Sequence, residues 1–133
     1  MNEYSECFIP NLPIQIKDRP HFLHRGVMID VARNFIPIPK LKEVVQLMSQ
    51  VKLNVLHLHL TDSQSWPVEI EESPYLSLYA SFNNVTYKRE ELKDLVSYSR
   101  IRGVRVVPEL AAPGNSPMDF GSDIMKSKYG VIS

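Results

Sequence analysis

The stretch LNVLHLHLTDSQSWP, residues 53–67, alternates apolar residues with histidine and then becomes polar. Because successive side chains of a β-strand point to opposite faces, His57 and His59 lie on one face and the intervening leucines on the other. The run therefore predicts a buried strand over residues 53–60 whose C-terminal end opens into a functional site.

Two further apolar runs, GVMIDV at 26–31 and VRVVPEL at 104–110, also predict strands. Between these runs, apolar residues at helical spacing predict one helix that begins near Lys40 and a second helix over 88–102 that stops at Gly103. Strands that alternate with helices and are almost continuously apolar indicate an α/β fold with a parallel sheet.

Charged residues follow each predicted strand. The first strand ends near Asp30 with Arg33 close behind it, the second is followed by Asp62, and the third ends at Glu109. In parallel α/β folds, ligands bind at the carboxyl ends of the strands. We therefore expect these four side chains to share one rim, beside a long loop over residues 63–87.

The composition is that of an ordinary globular chain of 133 residues, with 44% hydrophobic and 23% charged residues, and it predicts one domain. Fifteen basic residues balance fifteen acidic ones, so nucleic acids and anionic membranes are not expected partners. The lone Cys7 has no partner for an internal disulfide, and no apolar run approaches the roughly 20 residues of a membrane span.

The start of the chain contains acidic residues and no early basic cluster, from which we expect no secretory signal in the chain as written. Asn84, Val85 and Thr86 form a sequon for N-linked glycosylation. Such triplets are frequent by chance, and this one matters only for a chain that enters the secretory pathway.

The two histidines also admit a metal-site interpretation, because a His-x-His pair on one strand face is a known zinc-ligand geometry, as in metal-dependent barrel hydrolases. Such a site needs further ligands, whereas the third strand end offers only Glu109 and Asp30 lies near Arg33. Hydrogen-bonded histidines packed inside a barrel are commoner, an interpretation that suits His57 more than His59. We therefore expect no metal.

Asp30 and Arg33 suit recognition of a polyol, because a guanidinium presents several fixed donors and a nearby carboxylate orients it. A structural ion pair is an equally good interpretation. Trp66 offers a face that could stack on a pyranose ring or fill the core beneath the loop. Glu109 could act as a carboxylate acid or base, or it could support Arg33 indirectly, through a group that contacts Arg33.

Three longer motifs, HRGVMIDVARNFIPI at 24–38, LNVLHLHLTDSQSWPVEI at 53–70 and YSRIRGVRVVPELAAPGN at 98–115, resemble the opening of the catalytic barrel of family-20 glycoside hydrolases, the β-N-acetylhexosaminidases. The resemblance covers residues 14 to about 121. It implies a (β/α)8 barrel and removal of terminal N-acetylglucosamine or N-acetylgalactosamine with retention, the substrate's own 2-acetamido group acting as nucleophile. It also implies no cofactor.

The resemblance assigns substrate-binding positions residue by residue. Arg33 corresponds to the family's arginine for the outer sugar hydroxyls. Asp62 corresponds to the acid that shapes the site after the second strand, and His59 precedes it as in the family. Glu109 corresponds to the acid of the third strand. From their own chemistry and positions, Asp30 and Trp66 are expected to support the site together with His59.

Two positions after Glu109 depart from the family pattern. Ala111 stands where the family usually has an acid, and Asn115 stands where it usually has a histidine. Asn115 is therefore expected at a substrate-binding position, but with a different side chain from the family's. These departures favour an alternative in which the chain is a catalytically inert homologue that keeps a sugar-binding or partner-binding role. Arg33 and Asp62, which match the family, favour the enzyme.

No adjacent Asp-Glu pair occurs in the 133 residues. By resemblance, that pair orients the acetamido group and protonates the leaving oxygen from the fourth strand. A complete barrel takes about 250 residues, so the chain corresponds to under half of one. We interpret residues 1–20 as a lead-in left from a preceding small domain, and residues 21–133 as the N-terminal portion of the catalytic barrel, without catalytic residues of its own.

The resemblance further implies glycans that end in N-acetylhexosamine as substrates, a dimer as the oligomeric state, and a lysosomal or secreted location.

Overall fold

The computed structural model of the chain describes residues 12–111 and Gly114. Three strands alternate with helices in this part, as the sequence predicts, although each strand is shorter than its apolar run. In chain order, the elements are β1 (Gly26–Asp30), α1 (Ile38–Gln50), β2 (Val55–His59), α2 (Pro74–Ala80), a 3₁₀ turn (Phe82–Asn84), α3 (Arg89–Arg100) and β3 (Arg105–Glu109).

The strands form a parallel sheet in the order β1-β2-β3, which confirms the predicted α/β arrangement. Asp30, His59 and Glu109 are register partners at the last position of their strands. The backbone ladder continues just beyond them, because Val31 N–H donates to the His59 carbonyl at 3.1 Å and Leu60 N–H to the Glu109 carbonyl at 3.1 Å. The three strand ends are therefore level and present their side chains at one rim.

The two faces of the sheet have different environments. Leu56 and Leu58 of β2 are fully buried on the face that packs against the helices. His57 and His59 project from the opposite face, where Met28 of β1 is 58% exposed. The core thus lies between sheet and helices, and its buried residues are Val31, Ile38, Leu41, Val45, Met48, Leu56, Leu58, Leu60, Trp66, Val68, Tyr87, Leu95 and Val104.

Both long helices begin within two residues of the predicted positions, and α3 ends two residues before the predicted end at 102. α1 starts directly after Pro37, and Pro39 fits its first turn because the missing proline N–H would have no partner there. α3 carries acidic residues in its first turn and Arg100 in its last, which complements the helix dipole. Gly103 adopts a φ of 72° after α3, a conformation that glycine tolerates best. Among the described helices, none has the length and apolar character needed to cross a membrane.

The segment between β2 and α3 is not the continuous loop that the sequence predicts, because it contains α2 and the 3₁₀ turn. Leu76 and Ala80, four residues apart on α2, pack against the core, and Pro74 lies in its first turn. α2 has seven residues, which is too short for its apolar spacing to stand out among the flanking serines and prolines.

Tyr87 connects the entry of α3 to the chain between β1 and α1. Its fully buried ring stacks on Phe35 with a centroid distance of 4.4 Å. Its hydroxyl donates to the Ile36 carbonyl at 2.7 Å and accepts from the Ile36 N–H at 3.0 Å. Burial raises the pKa of Tyr87 to about 12, although the hydrogen bond to Ile36 acts in the opposite direction.

We expect Tyr87→Phe to lower the free energy of unfolding by about 1 to 3 kcal/mol, because both Ile36 groups lose their partner. The pKa of Tyr87 is raised from 10.0 to about 12, so its stabilising contribution is complete below the lower value and is lost as the pH rises through the upper one. Urea titrations of the protein, from about pH 8 to about pH 12, measure both effects. Identical pH dependence in the wild type and in Tyr87→Phe would contradict the second.

Candidate functional site

Asp62 occupies a tight turn immediately after β2. Its backbone N–H donates to the Ser65 carbonyl at 2.9 Å, and Ser65 N–H returns a bond of 3.2 Å. Asp62 Oδ1 accepts from Gln64 N–H at 3.1 Å and from the Ser63 hydroxyl at 3.2 Å. The side chain is only 4% exposed, and a buried carboxylate requires such partners. The turn thus fixes one carboxylate oxygen of Asp62 and leaves the other for the rim.

Arg33 joins the ends of β1 and β2. Its Nη2 donates to Asp62 Oδ2 at 2.8 Å, and its Nε lies 3.5 Å from Asp30 Oδ2. Asp30 Oδ1 accepts from the backbone N–H groups of Ala32 at 3.0 Å and Arg33 at 3.1 Å, which holds that carboxylate in place. The hydrogen bond from Arg33 to Asp62 and the charges of both carboxylates raise the pKa of Arg33. The guanidinium is therefore oriented from two sides.

Arg33 nevertheless keeps surface for a ligand, because its side chain is 50% exposed. An arginine whose planar fork is fixed and half open offers directed donors to neighbouring hydroxyl groups. This geometry is compatible with both sequence interpretations of Asp30 and Arg33, because one ion pair can stabilise the strand ends and also orient a guanidinium toward a polyol.

His59 bridges the second and third strands. Its Nε2 lies 3.3 Å from Asp62 Oδ2, and its Nδ1 lies 3.1 Å from Glu109 Oε1. His57 Nε2 lies 2.6 Å from the other oxygen, Glu109 Oε2. The His59 side chain is 11% exposed and that of His57 is 39% exposed, which reverses the predicted order of burial. The reason is that His59 lies at the strand end, under the Asp62 turn.

Glu109 contacts these two histidines and is connected to Arg33 only indirectly, because His59 also contacts Asp62, which accepts from Arg33. Burial raises the pKa of Glu109, but hydrogen bonds with His57 and His59 outweigh this effect and lower the pKa overall. A carboxyl group that is held ionised is a poor proton donor near neutral pH. The geometry therefore favours a role for Glu109 in positioning the two histidines and argues against a role as general acid.

Trp66 fills the core and does not face the rim. It is 3% exposed and belongs to the buried cluster, while its backbone N–H donates to the Ala80 carbonyl of α2 at 2.8 Å. Of the two sequence interpretations, the burial of Trp66 fits a ring that fills the core beneath this segment, and in this structure the ring is not accessible for stacking on a sugar. Asn115, the other predicted contact beyond Glu109, lies outside the described residues.

Thr61 contributes to the rim although sequence reasoning passed over it. It is fully buried, and its hydroxyl oxygen accepts from the Ala111 N–H at 2.8 Å. This bond ties the segment after β3 to the end of β2. The only signal in the sequence was a threonine between the strand and Asp62, which is too common a feature to indicate a role.

Both His59 nitrogens lie within hydrogen-bonding distance of carboxylates, and within residues 12–111 and Gly114 no group of three or more His, Cys, Asp or Glu side chains is arranged to hold a metal ion. We therefore expect elemental analysis of the purified, chelator-treated protein to find far less than one equivalent of zinc. One equivalent that resists the chelator and disappears in His57→Ala would contradict this expectation.

Comparisons with known proteins agree with the resemblance seen in the motifs. The sequence model of "Glycosyl hydrolase family 20, catalytic domain" matches residues 22–120. Beta-hexosaminidase 1 of Coccidioides posadasii is 46% identical over 109 residues, which is 82% of this chain and 18% of the fungal protein. Mouse beta-hexosaminidase subunit alpha is 39% identical over 104 residues, which is 77% of this chain and 20% of the mouse protein. The chain thus spans about a fifth of these relatives.

Solved structures of family-20 glycoside hydrolases also resemble the fold of this chain. A family-20 β-N-acetylglucosaminidase aligns with a TM-score of 0.70 at 36% identity and covers 80% of this chain and 23% of its own. The β-N-acetylhexosaminidase from Streptomyces coelicolor A3(2) aligns with a TM-score of 0.72 at 30% identity, over 80% of this chain and 23% of its own. With three-quarters of its length matched by one family model, and with the same fold in solved members, the chain belongs to glycosyl hydrolase family 20.

Proposed function

We propose that the protein containing this rim is a β-N-acetylhexosaminidase that removes terminal N-acetylglucosamine or N-acetylgalactosamine from glycans. The observation that supports this proposal is the environment of Arg33. Asp62 and Asp30 hold its guanidinium at the strand ends, and its side chain is still 50% exposed. Among the described residues, this is an oriented and accessible cation at the carboxyl edge of a parallel sheet, where such folds bind ligands.

In this proposal the three strands are the first three of a (β/α)8 barrel, with residues 21–133 as its N-terminal portion and 1–20 as a lead-in. Substrates ending in N-acetylhexosamine place their outer hydroxyls against Arg33. Asp62 and Asp30 fix the guanidinium, and the contacts of His59 and Glu109 keep the ends of β2 and β3 together. In this proposal, the contribution of these residues is therefore to bind the terminal sugar of the substrate.

The chemical step requires groups beyond those described. Retaining hydrolysis assisted by the substrate uses the 2-acetamido oxygen as nucleophile, a carboxylate that orients the acetamido nitrogen, and a carboxylic acid beside the leaving oxygen. In the proposal both carboxyl groups come from the Asp-Glu pair of a later strand. A dimer and a lysosomal or secreted location are proposed from family resemblance alone.

The test is turnover by a complete form of the protein on aryl N-acetylglucosaminides and N-acetylgalactosaminides, with the aryl glucoside as matched control. We expect hydrolysis of the two acetamido sugars with retained anomeric configuration, followed by NMR, and background rates on the glucoside because it lacks the nucleophile. Equal rates on the glucoside, or inversion at the anomeric carbon, would refute the proposed reaction.

A second candidate is an inert homologue that binds sugar without cleaving it. Ala111 and Asn115, at positions where the family usually has an acid and a histidine, favour it. Calorimetric binding of N-acetylglucosamine to a complete form that shows no turnover, with binding lost in Arg33→Ala, would support this candidate.

A further inference from the structure

The 3₁₀ turn Phe82–Asn84 presents two asparagines in left-handed backbone, Asn83 with φ 55° and Asn84 with φ 54°. Asparagine adopts this conformation more readily than most residues, so the turn by itself explains both. Only Asn84, however, is followed two positions later by a hydroxyl residue, Thr86, and Asn84-Val85-Thr86 is the only Asn-X-Ser/Thr triplet of the sequence.

The triplet lies on the surface of the folded chain. Val85 N–H donates to the Phe82 carbonyl at 3.2 Å, which closes the turn, and the Asn84 side chain is exposed. Thr86 Oγ1 donates to Glu69 Oε1 at 2.6 Å, a contact with the segment after Pro67 and not with the strand-end rim. A group attached to Asn84 therefore projects away from the packed core.

The surroundings of Asn84 have both space and apolar surface for a sugar. A shallow depression of about 470 Å³ lies beside it and is lined in part by Leu78, Ser81 and Thr86. Phe82, two residues before Asn84, is 50% exposed, and Leu78 and Val85 are exposed as well. Pyranose rings pack their apolar faces on aromatic and aliphatic side chains, so an attached glycan would cover surface that is otherwise open to water.

We propose that Asn84 is an acceptor site for an N-linked glycan. In the transfer, Asn84 Nδ2 gives up a proton to solvent and forms a bond to the anomeric carbon of an oligosaccharide carried on a lipid diphosphate. The bond from that carbon to the diphosphate oxygen breaks, and the lipid diphosphate leaves. The site is distinct from the strand-end rim, so the proposal stands or falls independently of the hydrolase activity.

The experiment is cell-free translation of the full chain, placed behind a cleavable secretion signal, in the presence of endoplasmic-reticulum microsomes. Because the transferase acts on the nascent chain, the result does not depend on how well each variant folds. We expect one mass increase that peptide N-glycosidase removes. Asn84→Gln and Thr86→Val should abolish it, whereas Thr86→Ser should retain it.

Asn83→Gln is the matched control, because Asn83 shares the turn and the backbone conformation but has Val85 two positions later. This variant should be glycosylated like the parent chain. An unmodified parent chain in a reaction that glycosylates a reference protein, or a modification that survives Asn84→Gln, would overturn the proposal.

Discussion

Replacing Arg33 with alanine in a complete form of the protein is expected to lower kcat/KM by roughly a hundred-fold to ten-thousand-fold. Charge-assisted hydrogen bonds to sugar hydroxyls are each worth roughly 1.5 to 3 kcal/mol, and two of them correspond to that range. The fixed orientation of Arg33 between Asp62 and Asp30 supports the larger end, because little side-chain freedom is lost when the sugar binds.

Two control variants separate binding from folding. Arg33→Lys keeps a positive charge near Asp62 and so should preserve stability better than alanine, but a point charge cannot replace the planar fork and activity should stay low. Arg89→Ala removes another exposed arginine, which begins α3 and pairs with Glu71 away from the rim, and should leave kcat/KM nearly unchanged.

Kinetics of the three variants, together with urea denaturation of each, make the measurement. Arg33→Ala that keeps the parent's catalytic efficiency would show that Arg33 does not bind the sugar. A loss of activity that merely tracks a loss of stability, with Arg33→Lys fully active, would show that the residue serves only the structural ion pair.

Local sequence patterns predict most of this fold because strands and long helices have a clear period. The alternation of His57 and His59 with leucines marks β2 and even its two faces, and Gly103 marks the end of the α3 segment. α2 escapes prediction because it has seven residues and its burial depends on contacts with Trp66 and the core, which no local pattern contains.

At the rim, too, some features follow from local sequence and others depend on contacts between distant parts of the chain. That Asp30, Asp62 and Glu109 gather at one edge follows from the rule for parallel strands. Which of them pair depends on strand register: Glu109 reaches His57 and His59 because β3 is in register with β2. Register is set by packing between strands far apart in sequence, so the partner of Glu109 was not predictable from spacing.

The 133-residue chain on its own is expected to show no hydrolysis of aryl N-acetylglucosaminides or N-acetylgalactosaminides above background. Substrate-assisted hydrolysis needs an acid beside the leaving oxygen and a carboxylate against the acetamido nitrogen. No adjacent Asp-Glu pair occurs in these residues, and Glu109 is held ionised by its histidine partners. On the proposed mechanism, the chain would supply Arg33 for sugar binding but neither of these two groups.

The sheet supports the same expectation. Within the described residues, β1 and β3 each pair with a neighbour on one side only, and Met28 lies exposed on the open face. Unpaired edges and uncovered apolar faces promote aggregation or loose packing. Aggregation or loose packing would disturb the geometry in which Asp62 and Asp30 hold Arg33.

The prediction is tested by measuring the rate at which the purified, monodisperse chain hydrolyses fluorogenic N-acetylhexosaminides. A complete form of the protein is the positive control. Arg33→Ala, purified in parallel, distinguishes the chain from a contaminating hexosaminidase, because a contaminant's rate is the same in both preparations. Turnover that persists through purification and disappears in Arg33→Ala would mean that the catalytic groups are within these residues after all. Glu109 would then be the acid to test. Glu109→Gln keeps the shape of the side chain but removes its ionisable carboxyl group. If Glu109 donates the proton, the pH–rate profile of this variant should lose its basic limb.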